Sequence, residues 1–470
     1  MRGWIIGLAL IPLGSWFLVA PSRAQQSTPK HRNHDIPEWI DRLNVPDWHA
    51  KRFTGQGIRV AVLDSSFRGY RQHLGRELPQ TVVTQSFRRD GNLEPTSSPH
   101  GLLCAELIHR IAPDAEILLA NWEPNQPDRF LAAVQWAVAQ QASIISCSVV
   151  MPAWSDGQGG GAIHQQLQRL LRSEDPTNSV WMVASIGNLA ERHWHGELQP
   201  NADGCHHWNP DQLDSINDFY PWNAGPVGVE CVALSQSNAQ SLPEFEVIDS
   251  TTSQPVAVER FAIPARDLPG LSIRWRAQSD HEYGIRAMVP AHRHASPLKP
   301  VRFRLVALGG ELEHHHPRGS LAFPGDHPRV IAVGAVDSSG ERVPYSGIGT
   351  SRDHKPELVA VVPVPLSARL EPFGGTSAAA PQIAGLAALW RAAVPAGRQA
   401  DFVRSCRDAH ASFPSRSPAR LPDPARLSSF ATGLSQIQTR ADFLPEFFFR
   451  PFSGDGRPLF GDGVERGLSR

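Results

Sequence analysis

Residues 58–66 read Ile-Arg-Val-Ala-Val-Leu-Asp-Ser-Ser, a β-branched apolar run opened by Gly57 and closed by a carboxylate and two hydroxyls. Broken only by Arg59, the run lacks the strict alternation of a half-wet strand, which predicts a buried strand ending in a turn. Outward from it, Leu103, Leu107 and Ile111 share one helical face and predict a helix over 100–110. The same reading gives strands at 115–120, 143–149 and 180–184, and helices at 130–140 and 163–171. Strands and helices that alternate over short connections predict an α/β domain: a mostly parallel sheet with helices on both faces.

The pattern breaks near Gly196. Segments such as Leu271-Ser-Ile-Arg-Trp-Arg-Ala277 and Val301-Arg-Phe-Arg-Leu305 alternate apolar and polar residues, as antiparallel strands with one wet face do. Residues 196–318 therefore read as an inserted β-rich, sandwich-like module. The α/β signature returns at 330–335 and 357–362, and an Ala-rich helix runs over 377–393. The expected organisation is a first part of the α/β domain over 25–195, its second part over 319–396, and an Arg-, Pro- and Phe-rich tail over 397–470. In that tail Phe443, Phe447, Phe448, Phe449 and Phe452 form a cluster expected to pack against the main domain.

The first 24 residues read as a signal peptide. A positive start at Arg2 precedes an apolar run from Trp4 to Ala20 broken by Pro12 and Gly14, and Ser22-Arg23-Ala24 offers small residues for cleavage after Ala24. A secreted or periplasmic protein is expected, with no membrane span once the signal is removed. In 470 residues, 41% hydrophobic and 8% aromatic composition suffices for a large core and excludes a disordered chain. With 45 basic against 46 acidic side chains, the formal charge of −1 gives no general attraction to nucleic acid or anionic lipid.

Three polar residues fall at strand ends or helix starts in the order acid, imidazole, hydroxyl: Asp64, His100 and Ser377. A hydroxyl attacks only when an imidazole takes its proton, and the imidazole needs a carboxylate to fix its tautomer. In an open parallel sheet the carboxyl ends of the strands border the binding crevice. The start of the Ser377 helix also offers free backbone N–H groups to a developing anion. A Gly-x-Ser-x-Gly hydrolase is excluded, because Gly375-Thr-Ser377-Ala-Ala379 lacks the last glycine and the chain order is wrong. No Gly-Lys-Ser/Thr follows the glycines at 157–161, which excludes a phosphate loop.

The segment Gly374-Gly-Thr-Ser-Ala-Ala-Ala-Pro-Gln-Ile-Ala-Gly385 resembles the nucleophile motif of the subtilisin-like serine peptidases, the subtilases. Val60-Ala-Val-Leu-Asp-Ser65 and His100-Gly101 resemble their Asp and His motifs, and the order Asp, His, Ser is theirs. Val183-Ala-Ser-Ile-Gly-Asn188 is similar to their oxyanion-hole motif, which implies Asn188 as a side-chain donor beside the Ser377 N–H. The resemblance implies a secreted serine endopeptidase acting on polypeptide substrates through an acyl-enzyme. It implies substrate contacts at Ser148, Val149, Val150 and Gly187 and no required cofactor. Structural calcium is common in the family, yet no acidic loop shows a readable ligand pattern.

Some features depart from the family. Ser65-Ser66 follows Asp64, Leu102-Leu103 follows His100-Gly101, and Val149-Val150 stands where Leu-Gly is usual, which implies an altered or narrowed primary pocket. Residues 25–35 are too short for a propeptide domain. The alternative reading is a secreted binding protein on an inactive subtilase scaffold. Of the five cysteines, Cys104 and Cys147 read as packed thiols, Cys205 and Cys231 as a candidate disulfide and Cys406 as a leftover. His206-His207 and His314-His315-His316 lack the i, i+4 spacing of a zinc site and read as solvated loops, so no metal is expected.

Overall fold

The computed structural model describes residues 37–412 apart from 156, 173–178, 210–213, 235–241, 264–268, 290–300 and 351–352. The expected signal peptide and the Phe cluster of the tail lie outside the described residues. Two short helices, α1 (Glu38–Arg42) and α2 (Val45–Ala50), lead into β1 (Arg59–Asp64), β2 (Val83–Ser86), α3 (His100–Ile111), β3 (Glu116–Asn121), α4 (Pro127–Ala139), β4 (Ile144–Cys147), α5 (Ala162–Leu171) and β5 (Trp181–Ser185). Ten strands follow: β6 (His193–Glu197), β7 (Asn217–Pro221), β8 (Gly225–Ala233), β9 (Glu244–Asp249), β10 (Gln254–Pro255), β11 (Glu259–Ala262), β12 (Gly270–Ala277), β13 (Tyr283–Met288), β14 (Arg302–Leu308) and β15 (Gly310–Leu312). The chain then returns through β16 (Val330–Val336), β17 (Leu358–Val361), α6 (Thr376–Ala393) and α7 (Gln399–Ser412).

The α/β expectation holds. Seven parallel strands form one sheet in the order β17-β16-β5-β4-β1-β3-β2. Successive side chains of a strand point to opposite faces. Ala61, Leu63, Ile145, Cys147, Met182 and Ala184 accordingly pack with Phe130, Val134, Ile163 and Leu167 of α4 and α5. Asp64, one residue out of step with Leu63, faces the other side, where α3 and α6 lie. On that side Trp181 meets Trp390 of α6 at 5.7 Å between ring centroids. The two helices approach closely because residue 385 is glycine: a Cβ there would stand 2.8 Å from Ile111 Cβ.

The ten strands between β5 and β16 form two five-stranded antiparallel sheets, β11-β12-β8-β14-β6 and β10-β9-β13-β7-β15. Their facing sides share one apolar core that includes Trp194, Val229, Phe219, Ile273, Trp275, Tyr283, Phe303 and Leu305. On the reverse side of the first sheet, Val306 packs with Val150, Leu189 and Ala322. Beside it the buried Arg304 donates to the Leu321 carbonyl. The sandwich is thus seated on the α/β domain by one of its sheets.

Several sequence expectations need correction. Cys205 and Cys231 are not joined in a disulfide. Cys231 lies within the nine-residue strand β8 with its side chain in the sandwich core, whereas Cys205 is bridged to Met288 at the end of β13 in the other sheet. His206 is buried, not solvated: its ring sits 4.9 Å from that of Trp194 and 4.8 Å from that of Trp208. Burial pushes its imidazole down to about 4, so it packs as a neutral ring. The start of the expected tail is helical, and Phe402 of α7 stacks on Trp181 at 5.8 Å. Cys104, Cys147 and Cys406 are buried.

Candidate active site

β1 ends on Asp64 and α3 begins on His100, so a strand end and a helix start converge above the sheet. His100 Nδ1 meets Asp64 Oδ2 at 2.7 Å, with the carboxylate fully buried and the imidazole 12% exposed. The other carboxylate oxygen accepts from Ser65 N at 2.7 Å. Burial by itself would push the His100 imidazole down; the adjacent Asp64 charge and its hydrogen bond outweigh that and leave it above its ordinary value. Gly101 permits this approach, because a Cβ there would lie 2.8 Å from Asp64 Cβ and 2.7 Å from the Phe67 ring.

Ser377 is the second residue of α6, where the first-turn N–H groups have no intrahelical acceptor. Pro381 stands four residues on and has no N–H to give back, which frees the Ser377 carbonyl. That carbonyl accepts instead from Ser148 Oγ at 3.1 Å and from Cys104 Sγ at 3.7 Å. In return Ser377 Oγ donates to the Ser148 carbonyl at 3.2 Å. The Ala-Ala-Ala-Pro sequence after the serine thereby ties α6 to the end of β4 and to α3. Burial first, then the Asp64 charge, raises the Cys104 thiol well above its ordinary value, so it acts as a neutral donor.

Asn188 arrives from the end of β5 through Gly187, whose φ of 105° suits a residue without a Cβ. Its Oδ1 accepts from Thr376 N and from Thr376 Oγ1, both at 2.9 Å. The acceptor half of the amide is therefore committed and the donor half, Nδ2, is turned to the cleft. Gly375 leaves room for it: with φ 78°, a Cβ there would stand 2.9 Å from Nδ2. Asp64 supports His100 from beneath, while His100, Ser377 and Asn188 line one cleft together with Ser148, Val149, Val150 and Gly187. Every site residue expected from the sequence, the cysteine pair aside, is at this place.

One side of the cleft narrows at Val150. A Cβ on Gly187 would lie 3.6 Å from Val150 Cγ1 and 3.3 Å from Leu189 Cγ, and both side chains are backed by Val306 of the sandwich. Trp222, Arg274, Leu308 and Gly309 of the sandwich also line the cleft, as does Arg192. None of these five was found by sequence reasoning, since no spacing within residues 192–309 points at a cleft formed by residues 64–188 and 377. Among the described residues, two groups bring three metal-ligand atoms within 4.8 Å of one another: Asp64, His100 and Cys104, and Asp214, Glu313 and His314. The first is committed to the hydrogen bonds above and includes a protonated thiol; in the second, His314 Nε2 is already turned onto Asp214 Oδ2 at 2.9 Å.

Comparison with known proteins agrees with this picture. Residues 289–410, which carry α6 and Ser377, match the model of the subtilase family. Subtilisin DY of Bacillus licheniformis is 34% identical over 85 residues, 18% of this chain and 31% of that protein. Subtilisin E of Bacillus subtilis is 36% identical over 70 residues, 15% of this chain and 18% of that protein. The chain thus aligns with less than a third of the length of these relatives. In fold it is similar to the Clostridium perfringens CspB protease, with a TM-score of 0.54 and 14% identity over 80% of this chain and 93% of that one. The seven-stranded parallel sheet, the motifs in the order Asp, His, Ser and the match around Ser377 thus make the chain similar to the subtilases, with the family match itself confined to residues 289–410.

Proposed function

We propose that the protein is an exported serine endopeptidase, with Ser377 as nucleophile, His100 as general base and then acid, and Asp64 as the group that orients His100. The observation that carries this reading is the 2.7 Å contact between Asp64 and His100 in the cleft that also holds the start of α6. For reaction, the Ser377 hydroxyl swings about its χ1 bond from the Ser148 carbonyl to His100 Nε2; such catalytic contacts commonly close only when substrate is bound. Oγ attacks the scissile carbonyl as its proton passes to His100, and Asp64 stabilises the imidazolium. The carbonyl oxygen takes up the negative charge between Ser377 N–H and Asn188 Nδ2. His100 returns the proton to the leaving amine, and water attacks the acyl-enzyme by the same route in reverse. These steps draw only on groups of this chain. Export is supported by the apolar run up to Ala20 and by Ser22-Arg23-Ala24.

The second reading, a binding protein on an inactive scaffold, draws on the Ser377 hydroxyl resting on Ser148 and on Val150 filling the side of the cleft. Casein degradation separates the two. An endopeptidase degrades casein, and Ser377→Ala lowers the rate by roughly 10⁴-fold or more. Equal rates for the two proteins would overturn the proposal.

A further inference from the structure

Asn188 is tethered on three sides. Before it, the Gly187 carbonyl accepts from Gly347 N at 2.9 Å. Its own side chain is held by Thr376, as described. Its main-chain carbonyl accepts from Arg192, through Nε at 2.6 Å and also through Nη2. A single guanidinium therefore closes the turn that carries the amide into the cleft.

What holds Arg192 comes from the inserted sandwich. Its main-chain carbonyl accepts from Ala307 N of β14 at 2.8 Å, and the adjoining Glu191 carbonyl accepts from Leu312 N of β15 at 3.1 Å. The guanidinium lies over the indole of Trp222, 4.7 Å from the ring centroid. Trp222 is itself fixed twice, by its N–H to the Gly309 carbonyl at 3.0 Å and by Nε1 to Glu311 Oε1 at 3.1 Å. Burial lowers Arg192 to about 10, against the pull of Glu311 and Glu191, so it stays charged at neutral pH. A charged hydrogen bond to a carbonyl in such a site is stronger than a neutral one, and an arginine seated on an indole holds its direction.

We propose that the inserted sandwich is part of the oxyanion-binding apparatus, with Arg192 and Trp222 as positioning residues that hold Asn188 Nδ2 at the developing oxyanion. This rests on the reading of Asn188 as an oxyanion donor. In subtilisin itself, loss of such a donor costs about 10²–10³ in kcat. A donor displaced by about 1 Å loses a comparable factor. The sandwich then does more than wall the cleft: it sets the rate of the acyl-transfer step.

The test is a double-mutant cycle on casein hydrolysis by the full chain, with kcat and KM measured separately. Arg192→Met is expected to lower kcat by about 10–100-fold and to change KM by less than about threefold. Because Arg192 acts through Asn188, the same substitution in an Asn188→Ala background is expected to cost less than about twofold more. Trp222→Leu should lower kcat in the same way. Trp222→Phe, which keeps an aromatic face under the guanidinium, should recover most of it. The Trp222 pair carries the test if Arg192→Met does not fold, as judged by its thermal transition. An additive cycle, a loss confined to KM, or equal rates for Trp222→Leu and Trp222→Phe would overturn the inference. Wild-type protein that cleaves casein while the cycle is additive removes the inference alone; wild-type protein that does not cleave removes the underlying reading with it.

Discussion

At the scale of the residue, the candidate site is a set of groups whose partners leave each of them one free task. Asp64 spends one oxygen on Ser65 N and the other on His100, and Asn188 spends its amide oxygen on Thr376. The raised His100 value has a consequence for pH. A general base must be neutral, so activity should fall as pH drops through a value above the ordinary 6.5 or so. Asp64→Asn removes the charge that raises it. The acid limb of kcat/KM should then move to lower pH while kcat falls by roughly 10³–10⁴-fold; an unmoved limb would contradict the assignment. Val150 controls another property. Val150→Gly opens the slot beside Gly187 and should raise cleavage after large residues relative to small ones by about tenfold or more. Mass-spectrometric mapping of casein fragments reads this, and an unchanged fragment pattern would count against it. Asp64, His100, Ser377 and Asn188 could be read from sequence because each sits in a short motif at a strand end or helix start. Arg192 and Trp222 could not: an arginine on a tryptophan has no sequence signature when their backbones meet only through the pairing of a sandwich.

Elements place these groups to within hydrogen-bonding distance. The parity of β1 turns Asp64 toward α3 and α6, Gly101 lets α3 come down on Asp64, and Gly385 lets α3 and α6 touch. Gly101→Ala puts a methyl 2.8 Å from Asp64 Cβ, which the helix can relieve only by moving outward. The variant should lose about 1–3 kcal/mol of stability to overpacking, seen as a lower thermal midpoint, and should lose activity as His100 leaves Asp64. An unchanged midpoint with full activity would show the approach to be dispensable. Strand and helix positions followed from periodicity almost to the residue, since buried parallel strands are dense in Val, Ile and Ala. Four elements of the α/β part escaped. β2 (Val83–Ser86) is largely exposed and has no apolar run, α1 and α2 are only five and six residues long, and α7 follows Pro395 and Gly397 and is rich in polar residues. The cysteine pair failed for a related reason: Pro226 and Gly228 interrupt the apolar pattern, yet they sit in a strand whose core-facing positions are Val227, Val229 and Cys231.

At the scale of the whole molecule, residues 193–312 interrupt the sheet between β5 and β16, and the interruption falls directly after Asn188. Alternation of polar and apolar residues revealed that a sandwich was inserted, because each of its sheets buries one face in the shared core. The seating of that sandwich was hidden from sequence. Val306, Arg304 and His193 occupy outer-face positions of β14 and β6, and these positions are buried because the outer face of the sheet is covered by the α/β domain. The same seating brings Trp222 and Arg274 to the cleft. In the proposed function Ser377 is a nucleophile activated by His100 and Asp64. Reaction of the folded protein with a fluorophosphonate, followed by peptide mapping, tests it most directly. One adduct is expected, on Ser377, absent from Ser377→Ala and formed far more slowly in His100→Ala; an adduct on another residue, or none on the folded wild-type chain, would contradict this role of Ser377.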